Sequence, residues 1–312
     1  MNNIARMAAN QRADLFGETA NRMGLSGAVV EKDFWVCAIN RFSEDIDLAV
    51  DYAALGFTGP RDPRRQGLSR TKQTKLLGEM LRDCQRYIGS EFIREFRTRC
   101  EAVLGRDGIW STRIDDRDPN IVRFHYPTAI SARLAYISPQ VVLELGTHAE
   151  FIPRDEFSIR PFAAEEFPKL FAEAEVRVTA LLAKRTFWEK ATILHAQHHR
   201  GPGKPFPARY SRHYYDMAML SQTPVKDEAL ADLQLLRDVV RHKETFYPAA
   251  WARYDLAVPG TLKLAPTRAG VSALKQDYRD MAMMIFGDPP HFESVMQKLT
   301  ALEDEVNALA SA

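Results

Sequence analysis

Three cysteines, Cys37, Cys84 and Cys100, are all that 312 residues contain. The odd number excludes a fully paired disulfide framework and the spacings fit no metal knuckle, so they read as reduced thiols of a cytosolic protein. An excess of one charge is lacking too: 42 Lys and Arg stand against 41 Asp and Glu, a formal net of +1. That balance argues against coating nucleic acid by overall charge and leaves only local basic patches for such a role. No apolar run reaches the roughly 20 residues that span a bilayer. The opening stretch MNNIARMAANQRADLFGETA has no apolar core followed by a cleavage site, so it is not a secretory signal. There is no internal repeat and no low-complexity tract. The expectation is a soluble cytoplasmic protein with no membrane contact.

What is present is a hydrophobic content of 46%, enough core for more than one globular unit. Residues 2–23 read as one helix, and LSGAVVEKDFWVCAI as a second with Ser26 as its cap. DIDLAVDY follows as a strand, GFTGPRDPRRQGLSR as a loop, and residues 71–104 as amphipathic helix. IWSTRID, NIVRFHY and VVLELGT carry the β-branched and aromatic enrichment of strands, and EVRVTALL is a strand or the entry to a helix. From about Arg185 the pattern is helical to the end, broken at GPGKPFPA, YPAAW and VPGTLKLAP. The fold class expected is mixed α/β (α+β) over residues 1–175, followed by a mostly helical part over 176–312.

RFSEDIDLAV, Arg41 to Val50, sets two acids inside what reads as a buried strand. Residues i and i+2 of a strand share a face, so Asp45 and Asp47 project together while Ile46 points the other way. Adjacent carboxylates repel and resist desolvation unless a cation sits between them. Mg²⁺ (or Mn²⁺) suits that need, because it takes oxygen ligands and leaves room for substrate phosphates. Glu144 is a second acid in an apolar strand, VVLELG, and would complete a set of three. The plain alternative is an exposed edge strand with its acids in water. Ser43 and Glu44 lie at the mouth of the strand.

The helical half supplies cations. KRTFWEKATILHA carries Lys184, Arg185, Glu189 and Lys190, and RYSRHYYDMAML carries Arg209, Arg212 and Asp216 at helical offsets. A triphosphate needs several such donors, Lys as a point charge and Arg as a fork; a solvated helix face is the plain reading of each one. His195 and His199 are four apart, but Ala196 stands where a metalloprotease needs Glu, so they read as surface or phosphate-side histidines. The loop with Arg61, Arg64, Arg65, Arg70, Lys72 and Lys75 is either a solvated loop or a contact for an RNA backbone. Phe246, Tyr247, Trp251 and Tyr254 favour core packing over base stacking.

VVEKDFWV, RFSEDIDLAV, VVLELG, KRTFWEKATILHA and RYSRHYYDMAML together resemble the AbiEii family over about Glu31 to Asp280. These are nucleotidyltransferase toxins of the DNA-polymerase-β-like superfamily, linked to abortive infection, phage defence and type IV toxin–antitoxin systems. The resemblance implies a nucleotidyltransferase-like sheet with flanking helices and a helical C-terminal domain. It implies transfer of a nucleoside monophosphate from an NTP to an RNA acceptor, with the tRNA 3′ end as the best guess, and an antitoxin partner. Carried over by position, Asp45 and Asp47 are the metal ligands. Glu144 is the third carboxylate, orienting or deprotonating the attacking hydroxyl. Lys190 is the phosphate-contacting lysine, and Ser43, Arg209, Arg212 and Asp216 complete the nucleotide site. His213 replaces an acid in the family's "R…RDxxD" element.

One departure stands out. The family has a strand and a GG[ST] turn opening a helix before the DxD strand, whereas here EKDFWVCAIN runs straight into RFSEDIDL with no Gly between Gly27 and Gly56. Those elements need roughly 20–30 residues. Either a segment is missing from the chain between Cys37 and Arg41, or the protein lacks it and is a catalytically inactive RNA- or protein-binding relative.

Overall fold

The computed structural model describes the chain except residues 39–44, 107, 131–137, 202–203, 205, 283–284, 286–287 and 312, and gives the backbone alone for Asp45 and Ser311. Ser43 and the interval that would carry the missing segment lie outside the described residues. Two compact units divide the chain, Met1–Ala180 and Leu181–Ala312. No helix among the described residues is long and apolar enough to cross a membrane.

The first unit opens with helices α1 (Asn2–Ala5), α2 (Ala9–Met23) and α3 (Gly27–Ala38). The single helix expected over residues 2–23 is therefore two. Arg12 breaks it: its guanidinium takes the carbonyls of Ala5 and Met7 at 3.3 and 2.6 Å, and Gln11 Oε1 accepts from Ala8 N. Helix α3 starts where Ser26 Oγ accepts from Val29 N at 3.3 Å. It is buried all round, carrying Val30, Phe34, Trp35 and Val36 but also Glu31, Lys32 and Asp33. The two acids are used as clamps. Glu31 accepts from Thr128 Oγ1 (2.7 Å) and Ala129 N (2.5 Å), and Asp33 accepts from Phe162 N at 2.6 Å. Burial raises the Asp33 carboxyl to about 7 despite that bond.

Strand β1 (Asp45–Ala49) follows, then a helical run made of α4 (Arg70–Tyr87), a π-turn (Ile88–Phe92) and α5 (Ile93–Leu104). The strands β2 (Ser111–Ile114), β3 (Ile121–His125) and β4 (Gln140–Gly146) complete a sheet of order β1-β4-β3-β2. β1 runs parallel to β4; the other pairs are antiparallel. One face is apolar and buried: Ile46, Val122, Phe124, Val141, Leu143 and Leu145 pack in one core with Phe34, Trp35 and Ile88. Trp35 stacks on Tyr126 at 5.6 Å. On the other face Asp47, Glu144, Ser111 and Arg113 are exposed, while Val142, Ile121, Arg123 and His125 are half-buried. β5 (Arg154–Ile159) and β6 (Val176–Leu181) form a separate two-stranded sheet, with α6 (Phe162–Glu166) between them in sequence. β6 resolves the ambiguity of EVRVTALL. β5 carried no usable signal, since five of its six residues are exposed and a period-2 apolar pattern has nothing to act on.

The second unit is helical: α7 (Ala183–His198), α8 (Ser211–Leu220), α9 (Pro224–Leu230), α10 (Leu233–Phe246), α11 (Val271–Met281) and α12 (Phe292–Ala308). α7 is buried at Phe187, Trp188, Ala191 and Leu194, against Tyr214, Met217, Leu236 and Val239. Trp188 Nε1 donates to Ala229 O at 3.2 Å. His195 belongs to this interior and is not a surface residue. Its Nε2 meets Arg253 O at 2.9 Å while its Nδ1 accepts from Lys263 N at 3.1 Å, so both ring nitrogens are spent. Burial holds its pKa down to about 4. Of the four aromatics expected to pack, Phe246 is buried, but Tyr247 and Trp251 are about half exposed, beneath Lys243 and Arg200 respectively.

Candidate active site

In the first unit the register decides which side chains meet. Asp47 pairs directly with Glu144 across the parallel β1–β4 ladder, and Asp45 pairs with Val142. Register partners in a sheet share a face, and neighbouring strands lie about 4.8 Å apart. Asp47 and Glu144 are both exposed, so the premise that these acids sit in buried strands is corrected. Ala49 is exposed, and Leu48 and Val50 are only half-buried. β4 likewise buries Val141, Leu143 and Leu145 and turns Glu144 outward. Asp47 and Glu144 are tolerated because their own side chains reach solvent. Their mutual repulsion remains, set by two carboxylates in register.

The same face turns basic along β3 and β2. Arg123 donates from Nε to Asp115 at 2.6 Å, and Arg113 is its register partner. Hydrogen bonds from Arg117 N and Arg123 hold the Asp115 carboxyl down at about 2. Burial, with Arg113 and Arg123 adding to it, lowers the pKa of His125. A cleft of about 630 Å³ opens beside the end of β1, but Leu48, Leu145, Tyr87 and Phe92 line it and Asp47 and Glu144 do not.

Among the described side chains, no group of three or more His, Cys, Asp or Glu residues meets metal-centre geometry. Asp47 and Glu144 offer only oxygen donors, exposed and in register. That set fits a hard divalent ion that binds through one or two carboxylates and keeps other positions for water or phosphate.

The second unit builds a different kind of site. Lys190, on α7, donates from Nζ to Asp216 Oδ2 at 2.6 Å and to His213 Nδ1 at 3.2 Å, both on α8. An ammonium can only donate, so His213 Nδ1 accepts and Nε2 carries the ring proton. Burial, then Lys190, Arg212 and Lys243, press the His213 pKa down to about 3, which keeps the ring neutral. Arg185 is buried and donates to Glu189 at 3.0 Å one turn before Lys190. Lys184 pairs with Asp232 at 2.8 Å. The Lys243 pKa is lowered by burial, with Glu189 opposing the shift and Arg185 adding to it.

Lys190, Arg212 and Asp216 therefore stand in one neighbourhood, and His213 and Lys243 join them. Neither of the last two was singled out as a donor in the sequence. The position of His213 had only the family element to mark it, and Lys243 had only its place beside the buried Val239 and His242 on α10. Arg209 does not share the helix. α8 begins at Ser211, and Arg209 precedes it in left-handed backbone, φ 60°. The turn is capped by Asp277, which accepts from Arg209 N and, at 2.7 Å, from Ser211 N.

A family model described as nucleotidyl transferase AbiEii toxin, type IV TA system, matches residues 34–300. The chain belongs to the AbiEii family. No curated protein and no solved structure matches the chain significantly. The AbiEii family is one of nucleotidyltransferase toxins in type IV toxin–antitoxin systems, so membership implies that activity class and an antitoxin partner. The matched span takes in β1, β4, α7 and α8, the four elements that carry Asp47, Glu144, Lys190 and Asp216.

Proposed function

We propose that this AbiEii protein transfers a nucleoside monophosphate from an NTP to an RNA acceptor, the 3′ end of tRNA, and acts in this way as a toxin. The observation that carries the reading is the direct pairing of Asp47 with Glu144, both exposed. Asp45, Asp47 and Glu144 would hold Mg²⁺ or Mn²⁺, which when bound supplies charge neutralisation at the phosphate oxygens. Glu144 accepts the proton of the attacking hydroxyl. Lys190, fixed between Asp216 and His213, and Arg212 beside it are the second unit's groups with the charge to meet a triphosphate. The bond formed joins the acceptor oxygen to the α-phosphorus, and pyrophosphate leaves.

The test is incubation of the protein with each α-labelled NTP, Mg²⁺ and total tRNA. Label should enter the tRNA and be lost with Asp47→Ala or Lys190→Ala. Absence of transfer with every NTP overturns the proposal.

A second reading has its own observation. Every described element before β1 is a helix, and β1 is an edge strand among the described residues, so no described strand and glycine turn precede the acids. A relative without that phosphate cradle would bind RNA or a protein and transfer nothing. RNA binding with no gain in RNA mass is its signature.

A further inference from the structure

We infer that the loop of residues 59–69 and the outer face of α4 form a platform for the phosphate backbone of the acceptor RNA; this rests on the transferase reading and names how its substrate is held. Residues 59–86 carry eight Lys and Arg against three acids, in a chain whose whole net charge is +1. The remainder of the protein is therefore net acidic, although residues 190–215 form a second basic stretch with Lys190, Arg200, Lys204, Arg209 and Arg212 and no acid.

The loop is built. Arg61 lies over the Phe57 ring at 4.1 Å and reaches Glu79 and Asp83 on α4. Arg64 lies over the buried Tyr52 and reaches Glu150, four residues past the end of β4, at 3.6 Å. Gln73, in the first turn of α4, donates to Pro63 O at 3.1 Å. Arg61 and Arg64 are thus staples. Arg65, Lys72 and Arg82 are exposed, and no ion pair among the described residues holds them. Lys72 and Arg82 fall on one side of α4, about 15 Å apart at 1.5 Å per residue. The first turn of α4 contains no acid to oppose its dipole, which adds to the attraction for anions.

The platform stands where the acid-bearing strands end. β1 and β4 run parallel, β1 leads into the loop, and Arg64 ties the loop to the segment after β4. From Asp47 to Val50 the strand rises only about 10 Å. The residues between the cations, Gln66, Thr71 and Thr74, are exposed and polar, which suits a hydrated polyanion, and Leu81 is the single exposed large apolar side chain on α4, far short of the apolar face that a lipid surface requires.

The experiment is titration of the full chain with fluorescently labelled total tRNA across salt concentrations. The variant is Arg65→Gln/Lys72→Gln/Arg82→Gln, and the charge-matched control is Arg94→Gln/Arg99→Gln/Arg106→Gln on and beyond α5. The platform variant should bind roughly 30–100-fold more weakly near 0.15 M salt, with a log–log salt slope shallower by about 2 to 3. The control should bind as the parent does. The Michaelis constant for tRNA should rise by the same factor and that for NTP should not. Equal affinity and slope in parent and platform variant overturn the inference. So does displacement by poly-glutamate or anionic vesicles as effective as by unlabelled tRNA. If the parent binds tRNA through the platform but transfers no label, the transferase reading fails and the platform stands. If label is transferred and the platform variant is unimpaired, the platform fails and the transferase stands.

Discussion

The acids of the first unit and the cations of the second are held by different means. Asp47 and Glu144 owe their proximity to backbone register, and both are exposed. Lys190 owes its position to side-chain partners in a half-buried cluster, where Asp216 and His213 fix its Nζ. A register survives the loss of a side chain; a hydrogen-bonded cluster does not. The first set can therefore be altered for chemistry at little structural cost, while the second ties chemistry to stability.

That contrast is most exposed at Asp47 and Glu144. Asp47→Ala or Glu144→Ala should lower label transfer by about 10²–10³-fold, the range for loss of one preorganised electrostatic group. The melting temperature of the Asp47 variant should stay within about 2 °C, because surface changes rarely exceed ~0.5 kcal/mol. A large loss of stability would show that this carboxylate is structural after all. In the second unit, Lys190→Ala should lower transfer and also cost about 1–3 kcal/mol, since Asp216 loses its charged partner. The double variant Lys190→Ala/Asp216→Ala should regain part of that stability and none of the transfer. Chemical denaturation of all four proteins yields the coupling energy, and a value near zero would place Lys190 with the exposed acids.

Acid separates the units by sign. His213 and His195 have pKa values of about 3 and 4, far below the ordinary value of 6.5. Unfolded, they take up protons that the native second unit refuses, so its stability falls as pH drops from about 6.5 toward 4. Asp33 is raised to about 7 from 3.8. Between those values the native first unit holds a proton that the unfolded chain has released, and its stability rises as pH falls. Each group contributes a slope of up to about 1.4 kcal/mol per pH unit within its window. Hydrogen exchange read separately for Trp35 and Trp188 segments at pH 7 and 5 should move in opposite directions. Asp33→Asn should flatten the first response and His213→Asn should reduce the second; parallel movement of both segments would refute these assignments.

How much of this was legible follows from what a linear pattern can carry. Alternation around Ile46 located the DxD strand, and VVLELG located its neighbour. Pattern alone could not say that Asp47 and Glu144 are exposed, because burial depends on which elements cover the sheet, so the acids were read as a conflict when they face water. The pairing of Asp47 with Glu144 joins residues 97 apart, and only the fold supplies it. The same limit hid Lys243, whose distance from Lys190 along the chain is bridged by the packing of α10 on α7. EKDFW was recognised as a motif, yet its work became visible only when Glu31 was seen to hold Thr128 and Ala129 and Asp33 to hold Phe162. Arg209 shows the opposite error, where helical periodicity was carried two residues beyond the start of a helix.

Arg209 gives the smallest and most discriminating test of where the cation cluster ends. Its φ of 60° lies in the left-handed region, which costs a non-glycine residue roughly 1–2 kcal/mol. Its backbone N–H donates to Asp277, and glycine keeps that donor. Arg209→Gly should relieve that strain, while label transfer falls less than for Arg212→Ala. If the two substitutions lower transfer equally, the guanidinium of Arg209 acts with the cluster despite lying outside α8. The second set would then reach beyond the hydrogen-bonded core around Lys190.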